Sequence, residues 1–103
     1  MPKEVILKDR NLELIRETSE GEIEIKTLVH GEGGGWSSNV ININLQTRRV
    51  EYYWIHWNYN GTGRETIAEK IVSQSKLEKI VKKALRITTL SDFDELKELV
   101  KKA

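Results

Sequence analysis

Apolar positions recur every second residue along the first sixty residues and every third or fourth from residue 64 onward, so the chain reads as strands followed by helices. Residues 12–18 (Leu-Glu-Leu-Ile-Arg-Glu-Thr) and 22–30 (Glu-Ile-Glu-Ile-Lys-Thr-Leu-Val-His) flank Ser19-Glu20-Gly21, where glycine supplies the positive φ of a hairpin turn. In the second of these strands Ile23, Ile25, Thr27 and Val29 alternate with Glu22, Glu24, Lys26 and Leu28, which gives one buried and one wetter face. Val5-Ile6-Leu7 can add a short edge strand.

A glycine-rich loop, residues 31–35, leads through Trp36-Ser37-Ser38 into Asn39–Leu45, where Ile41, Ile43 and Leu45 share one side. After Gln46-Thr47-Arg48-Arg49, the aromatic and β-branched run Val50–Tyr59 predicts a fourth strand that ends at Asn60-Gly61. From residue 64, Ile67, Ile71, Leu77, Ile80, Val81, Ala84 and Leu85 fall at helical spacings. Thr62 with Glu65 and Ser75 with Glu78 both fit a capping box, so this stretch is one helix or two that break near Ser73–Ser75. A last helix follows Ser91, with acids in its first turn, Lys101 and Lys102 in its last, and Phe93, Leu96, Leu99 and Val100 toward the core. The expected fold is α+β: an antiparallel meander of four strands, or five with the edge strand, then two or three C-terminal helices packed on one sheet face.

The opposite face then depends on register. With an even loop at residues 46–49, Leu45 pairs with Val50; Ile41, Ile43, Leu45, Val50, Tyr52, Trp54 and His56 share one face, and Asn42, Asn44, Gln46, Glu51, Tyr53, Ile55, Trp57 and Tyr59 the other. With an odd loop the two aromatic rows exchange. Either way one aromatic row stands beside the Asn row.

At 103 residues the chain suits one domain, read as a β-meander over 1–60 and a helical part over 61–103. Hydrophobic residues at 38%, charged residues at 32% and a single proline exclude a disordered chain. No apolar run reaches the roughly 20 residues of a membrane helix, and the N-terminus turns charged too early for a signal peptide, so a cytoplasmic location without a membrane partner is expected. Without cysteine there are no disulfides or thiolate metal sites, and no metal or cofactor is expected. Abundant Glu, Lys and Ile resemble proteins from hot environments, against which six Asn weigh. The net charge of +1 is uneven: residues 1–25 hold four Lys/Arg against seven Asp/Glu, and residues 76–86 five against one.

Three features carry candidate chemistry. The aromatic row of Tyr53, Trp57 and Tyr59 beside Asn42 and Asn44, with Trp36 at the loop exit, suits base stacking or a protein interface; a second core layer is the alternative. Lys76, Lys79, Lys82, Lys83 and Arg86 recur at helical spacing and can neutralise phosphates or simply form a solvated helix face. The glycine loop lacks the Lys-Ser/Thr ending of a P-loop, and Gly61–Arg64 is explained by helix capping without a ligand. His30 and His56, the only general bases near neutral pH, pair with nothing by spacing.

The leading expectation is a non-enzymatic module that binds nucleic acid, the aromatic row stacking on bases while Arg48, Arg49, Lys76, Lys79, Lys83 and Arg86 hold phosphates. The alternative is a protein-interaction module, a homodimer that buries the same row. Third comes an enzyme acting on a phosphorylated small molecule, resting on the glycine loop and the two histidines.

Overall fold

The computed structural model describes residues 2–103. Six strands run in sequence order through one antiparallel sheet: β1 (Lys3–Asp9), β2 (Leu12–Ser19), β3 (Glu22–His30), β4 (Trp36–Asn44), β5 (Arg49–Asn58) and β6 (Gly61–Ile71). Two helices follow, α1 (Gln74–Leu85) and α2 (Leu90–Lys102). The fold is therefore α+β.

The strand count corrects the sequence expectation of four or five strands, and the helix count is two. Residues 64–71, expected to open a helix, form most of β6, and Val5–Leu7 belongs to a full edge strand. The reason is a β-bulge: Tyr52 pairs with Ala68 but Tyr53 pairs with Thr66, so Ile67 is an extra residue in β6. That insertion breaks the two-residue alternation and leaves Ile67 and Ile71 four apart, which imitates a helical face. The Thr62–Glu65 capping box and the helix start at Gly61–Arg64 fall with it. The chain turns helical at Ser73, whose hydroxyl caps α1 by accepting from the Lys76 N–H at 3.3 Å.

Between β4 and β5 the pairs are Asn44 with Arg49, Ile43 with Val50 and Ile41 with Tyr52, across a four-residue turn at 45–48. These are the faces of the even-loop register. Leu45, however, lies in the turn and not opposite Val50, and it is 37% exposed.

The core forms where the helices meet the sheet. Leu14, Ile23, Ile25, Ile41, Ile43, Val50 and Tyr52 pack against Leu77, Ile80 and Ala84 of α1 and Phe93, Leu96 and Val100 of α2. The sheet also satisfies carbonyls at the helix ends: Arg16 donates to the Ala84 carbonyl at 3.1 Å, and Lys70 to those of Lys101 and Ala103 at 2.6 and 2.7 Å. Among the described residues no helix is long and apolar enough to cross a membrane.

Candidate interaction face

Strand alternation puts Leu28 and His30 of β3, Trp36, Ser38 and Val40 of β4, and Tyr53, Ile55 and Trp57 of β5 on the face opposite the helices. All of these except Trp57 line a trough of about 520 Å³, closed toward the turn at 45–48 by Glu24 and Lys26. The face is concave enough that Val40 and, from β2, Ile15 are each only 3% exposed although no layer lies over them. Both stand outside the helix-side core cluster and are shielded by their neighbours on this second face.

Aromatic side chains gather at the glycine-loop end. Trp36 lies directly opposite Trp57 across β4 and β5, and His30 opposite Trp36 across β3 and β4. Tyr59 meets Trp57 edge-on with ring centroids 5.5 Å apart, and is itself 80% exposed. The glycine loop is a short 3₁₀ turn over Glu32–Gly34, closed by the Gly31 N–H donating to the Gly35 carbonyl at 2.7 Å.

Charge on this face is largely self-neutralised. Lys26 pairs with Glu24 at 3.5 Å, Arg64 with Glu51 at 3.2 Å, and Arg49 with both Glu51 and Glu69. The Arg64 guanidinium also lies 3.7 Å from the centre of the Tyr53 ring, a cation–π contact. Partial burial raises the Tyr53 phenol above its ordinary pKa, with Glu24 and Glu51 adding to the rise and Arg64 opposing it.

Of the residues singled out from sequence, Trp36, Tyr53, Trp57 and Tyr59 are thus brought together, with Asn42 and Asn44 farther along β4 on the same face. The Asn44 side-chain Oδ1 accepts from the Gln46 and Thr47 N–H groups, both at 3.0 Å, and so shapes the turn. Arg48, at φ 60°, donates to the Val72 carbonyl at 3.0 Å and ties that turn to the residue before the α1 cap. Lys76, Lys79, Lys83 and Arg86 belong to α1 and its C-cap, on the other side of the sheet from the aromatic row. One short nucleic-acid strand therefore does not meet the aromatic row and the lysine stripe together.

Trp54 and His56 lie on the helix-side face, stacked at 4.3 Å. The His56 ring covers Gly63 of β6, its cross-strand partner, and His56 Nδ1 is buried without a hydrogen-bond partner. His30 and His56 thus occupy opposite faces. Among the described residues no group of three or more His, Cys, Asp or Glu side chains could hold a metal ion.

Sequence reasoning placed Ile55 on this face but missed that it forms an apolar floor with Leu28 and Val40, and it read Arg64 as part of a helix start. Leu28 and Ile55 were visible as apolar residues in otherwise polar half-patterns. Arg64 was hidden by the helical reading of its segment. No family model, curated protein or solved structure matches the chain.

Proposed function

We propose that the protein is an interaction module whose helix-free sheet face packs against the same face of a second copy. The observation that carries this reading is the concave trough of about 520 Å³, floored by Leu28, Val40 and Ile55 and rimmed by Trp36 and Tyr53, with Trp57 beside Trp36 on the same face. Contiguous apolar surface of this kind characterises association sites. The ion-paired state of Lys26, Arg49 and Arg64 favours a protein partner over a polyanion here, because few cations are left to release counterions from phosphates.

The dimensions suit a second copy. Six strands about 4.8 Å apart, each about 30 Å long, present a face of about 700 Å². A stable complex buries roughly 800 Å² per partner. A two-fold axis along the strands, between β3 and β4, sets β3 of one copy over β4 of the other. His30 then lies over Trp36 and Leu28 over Ser38, glycine-loop end on glycine-loop end, in an aligned sandwich.

Light scattering at several concentrations tests the proposal. The expected mass is twice the 11.9 kDa of the chain, and Ile55→Lys, which places a charge on the trough floor, is expected to give a folded monomer by circular dichroism. A wild-type protein that stays monomeric near 100 µM, a concentration at which even a roughly micromolar dimer is assembled, would count against it.

A further inference from the structure

The positive surplus of the molecule lies on one helix. Residues 74–86 hold five Lys/Arg and one Glu, which leaves twelve Lys/Arg against fifteen Asp/Glu in the rest of the chain. A molecule of net charge +1 is thus electrically polarised, with a basic α1 and an acidic remainder.

On α1 the apolar face of Leu77, Ile80 and Ala84 is sunk into the core, so Lys79, Lys82 and Arg86 point away from the sheet. Beside them Lys76 and Lys79 meet Lys102 of α2 around a hollow of about 150 Å³. Among the described residues none of these five cations has a carboxylate within ion-pair distance, while Lys83 on the α2 side of the same helix is taken by Glu95 at 2.5 Å and Asp92 at 3.7 Å.

Helix stability explains only the C-terminal part of the arrangement, where Lys82 and Lys83 in the last turn suit the macrodipole. The first turn of α1 holds no acid, and Lys76 stands at its N-terminal end, where the macrodipole disfavours a cation. The neighbouring α2 follows the opposite rule, with Asp92 in its first turn, Lys101 and Lys102 in its last, and a complete capping box. The two helices agree at their C-terminal ends and differ at their N-terminal ends, and a local rule broken there in α1 alone points to a functional constraint.

We infer that the exposed edge of α1, with Lys102, is a binding surface for the phosphate backbone of nucleic acid, independent of the aromatic face. Its outermost positions, Ser75, Lys79, Lys82 and Arg86, carry no apolar residue to enter a bilayer, which separates it from a membrane-surface helix. They also offer no aromatic ring to stack on a base, so recognition is of the backbone and is insensitive to sequence. The unpaired cations along one face suit about four phosphates.

Fluorescence anisotropy with labelled 20-mer duplexes of two unrelated sequences, across a salt series, reads this directly. About four phosphate contacts give a log–log salt slope near −3.6, or about a 100-fold loss of affinity for a fourfold rise in salt. The double variant Lys79→Glu/Lys82→Glu, at two exposed positions, is expected to keep the wild-type circular dichroism spectrum and melting temperature while losing binding at least tenfold. Ile55→Lys on the sheet face is expected to keep the affinity per protomer, so failure of the dimer and failure of this surface are distinguishable. No binding at low salt, a slope near zero, or binding unchanged by the double variant would overturn the inference. Retained preference for an acidic peptide over DNA, abolished by Leu85→Ser in the neighbouring groove beside Leu45, would overturn it in favour of a protein ligand.

Discussion

Gly63 shows how a single missing side chain shapes the sheet. It faces His56 across β5 and β6, and a Cβ at that position would collide with the imidazole carbons and nitrogens. The ring fills the space over the glycine and stacks on Trp54, much as aromatic residues cover strand glycines elsewhere. Gly63→Ala is expected to drive the ring off this position and to destabilise the protein by about 1–3 kcal/mol, as overpacking does. Urea denaturation measures the loss, and the same substitution made in a His56→Ala background is expected to cost clearly less. Neither the glycine nor the histidine signals this role in sequence, because the pairing exists only once β6 is known to be a strand.

At the scale of elements, legibility followed the regularity of each pattern. β3 carries an unbroken alternation and its bounds, residues 22–30, were readable outright; β4 and β5 were readable to within a few residues. That one aromatic row stands beside the Asn row came with them, but which row it is was left open, because it depends on the register of the turn between β4 and β5, where Asn42 pairs with Glu51. β6 was not readable. Its edge position leaves both faces largely exposed, so burial imposes no period on it, and the Ile67 bulge disrupts what alternation remains.

The helices were legible from their faces more than from their ends: the sequence pointed to capping at Ser75 and a start after Ser91, whereas Ser73 and Thr89 are the caps. In α2 the Thr89 hydroxyl accepts from the Asp92 N–H, and the Asp92 carboxylate accepts in return from the N–H groups of Thr88 and Thr89. The Thr88 N–H foremost holds the Asp92 carboxyl below the usual carboxylate range. Because the folded value is depressed, this contribution is complete above the unfolded-state value of about 4 and disappears as pH falls through the folded one. The melting temperature is therefore expected to drop on acidification below about pH 4, and Asp92→Asn to drop less steeply over the same window. Equal acid slopes in a thermal unfolding series would show that the cap does not titrate with folding.

For the whole molecule, the sheet separates two surfaces of opposite character. One side is aromatic and locally neutral; the other is a basic helix over the core. If two copies join through their sheet faces, their α1 helices lie on opposite outer faces, and the dimer carries two phosphate-binding edges that cannot both lie on one short duplex. The wild-type protein is then expected to bridge DNA, so that a biotinylated duplex on beads retains a second, fluorescent duplex. Ile55→Lys is expected to bind DNA singly without bridging. Retention of the second duplex by that variant would show that bridging does not need the sheet face. This two-sided arrangement was not legible in the sequence, which displayed the aromatic row and the lysine stripe but not that the sheet lies between them.

The central claim is that the aromatic face is covered by another copy, and Trp57 reports on it directly. In a Trp36→Phe/Trp54→Phe background it is the sole tryptophan, and acrylamide quenching measures its exposure. The account predicts that Trp57 is shielded in this parent and becomes several-fold more quenchable when Ile55→Lys is added, with the fold retained by circular dichroism. Equal, high quenching with and without Ile55→Lys, at concentrations up to 100 µM, would contradict it.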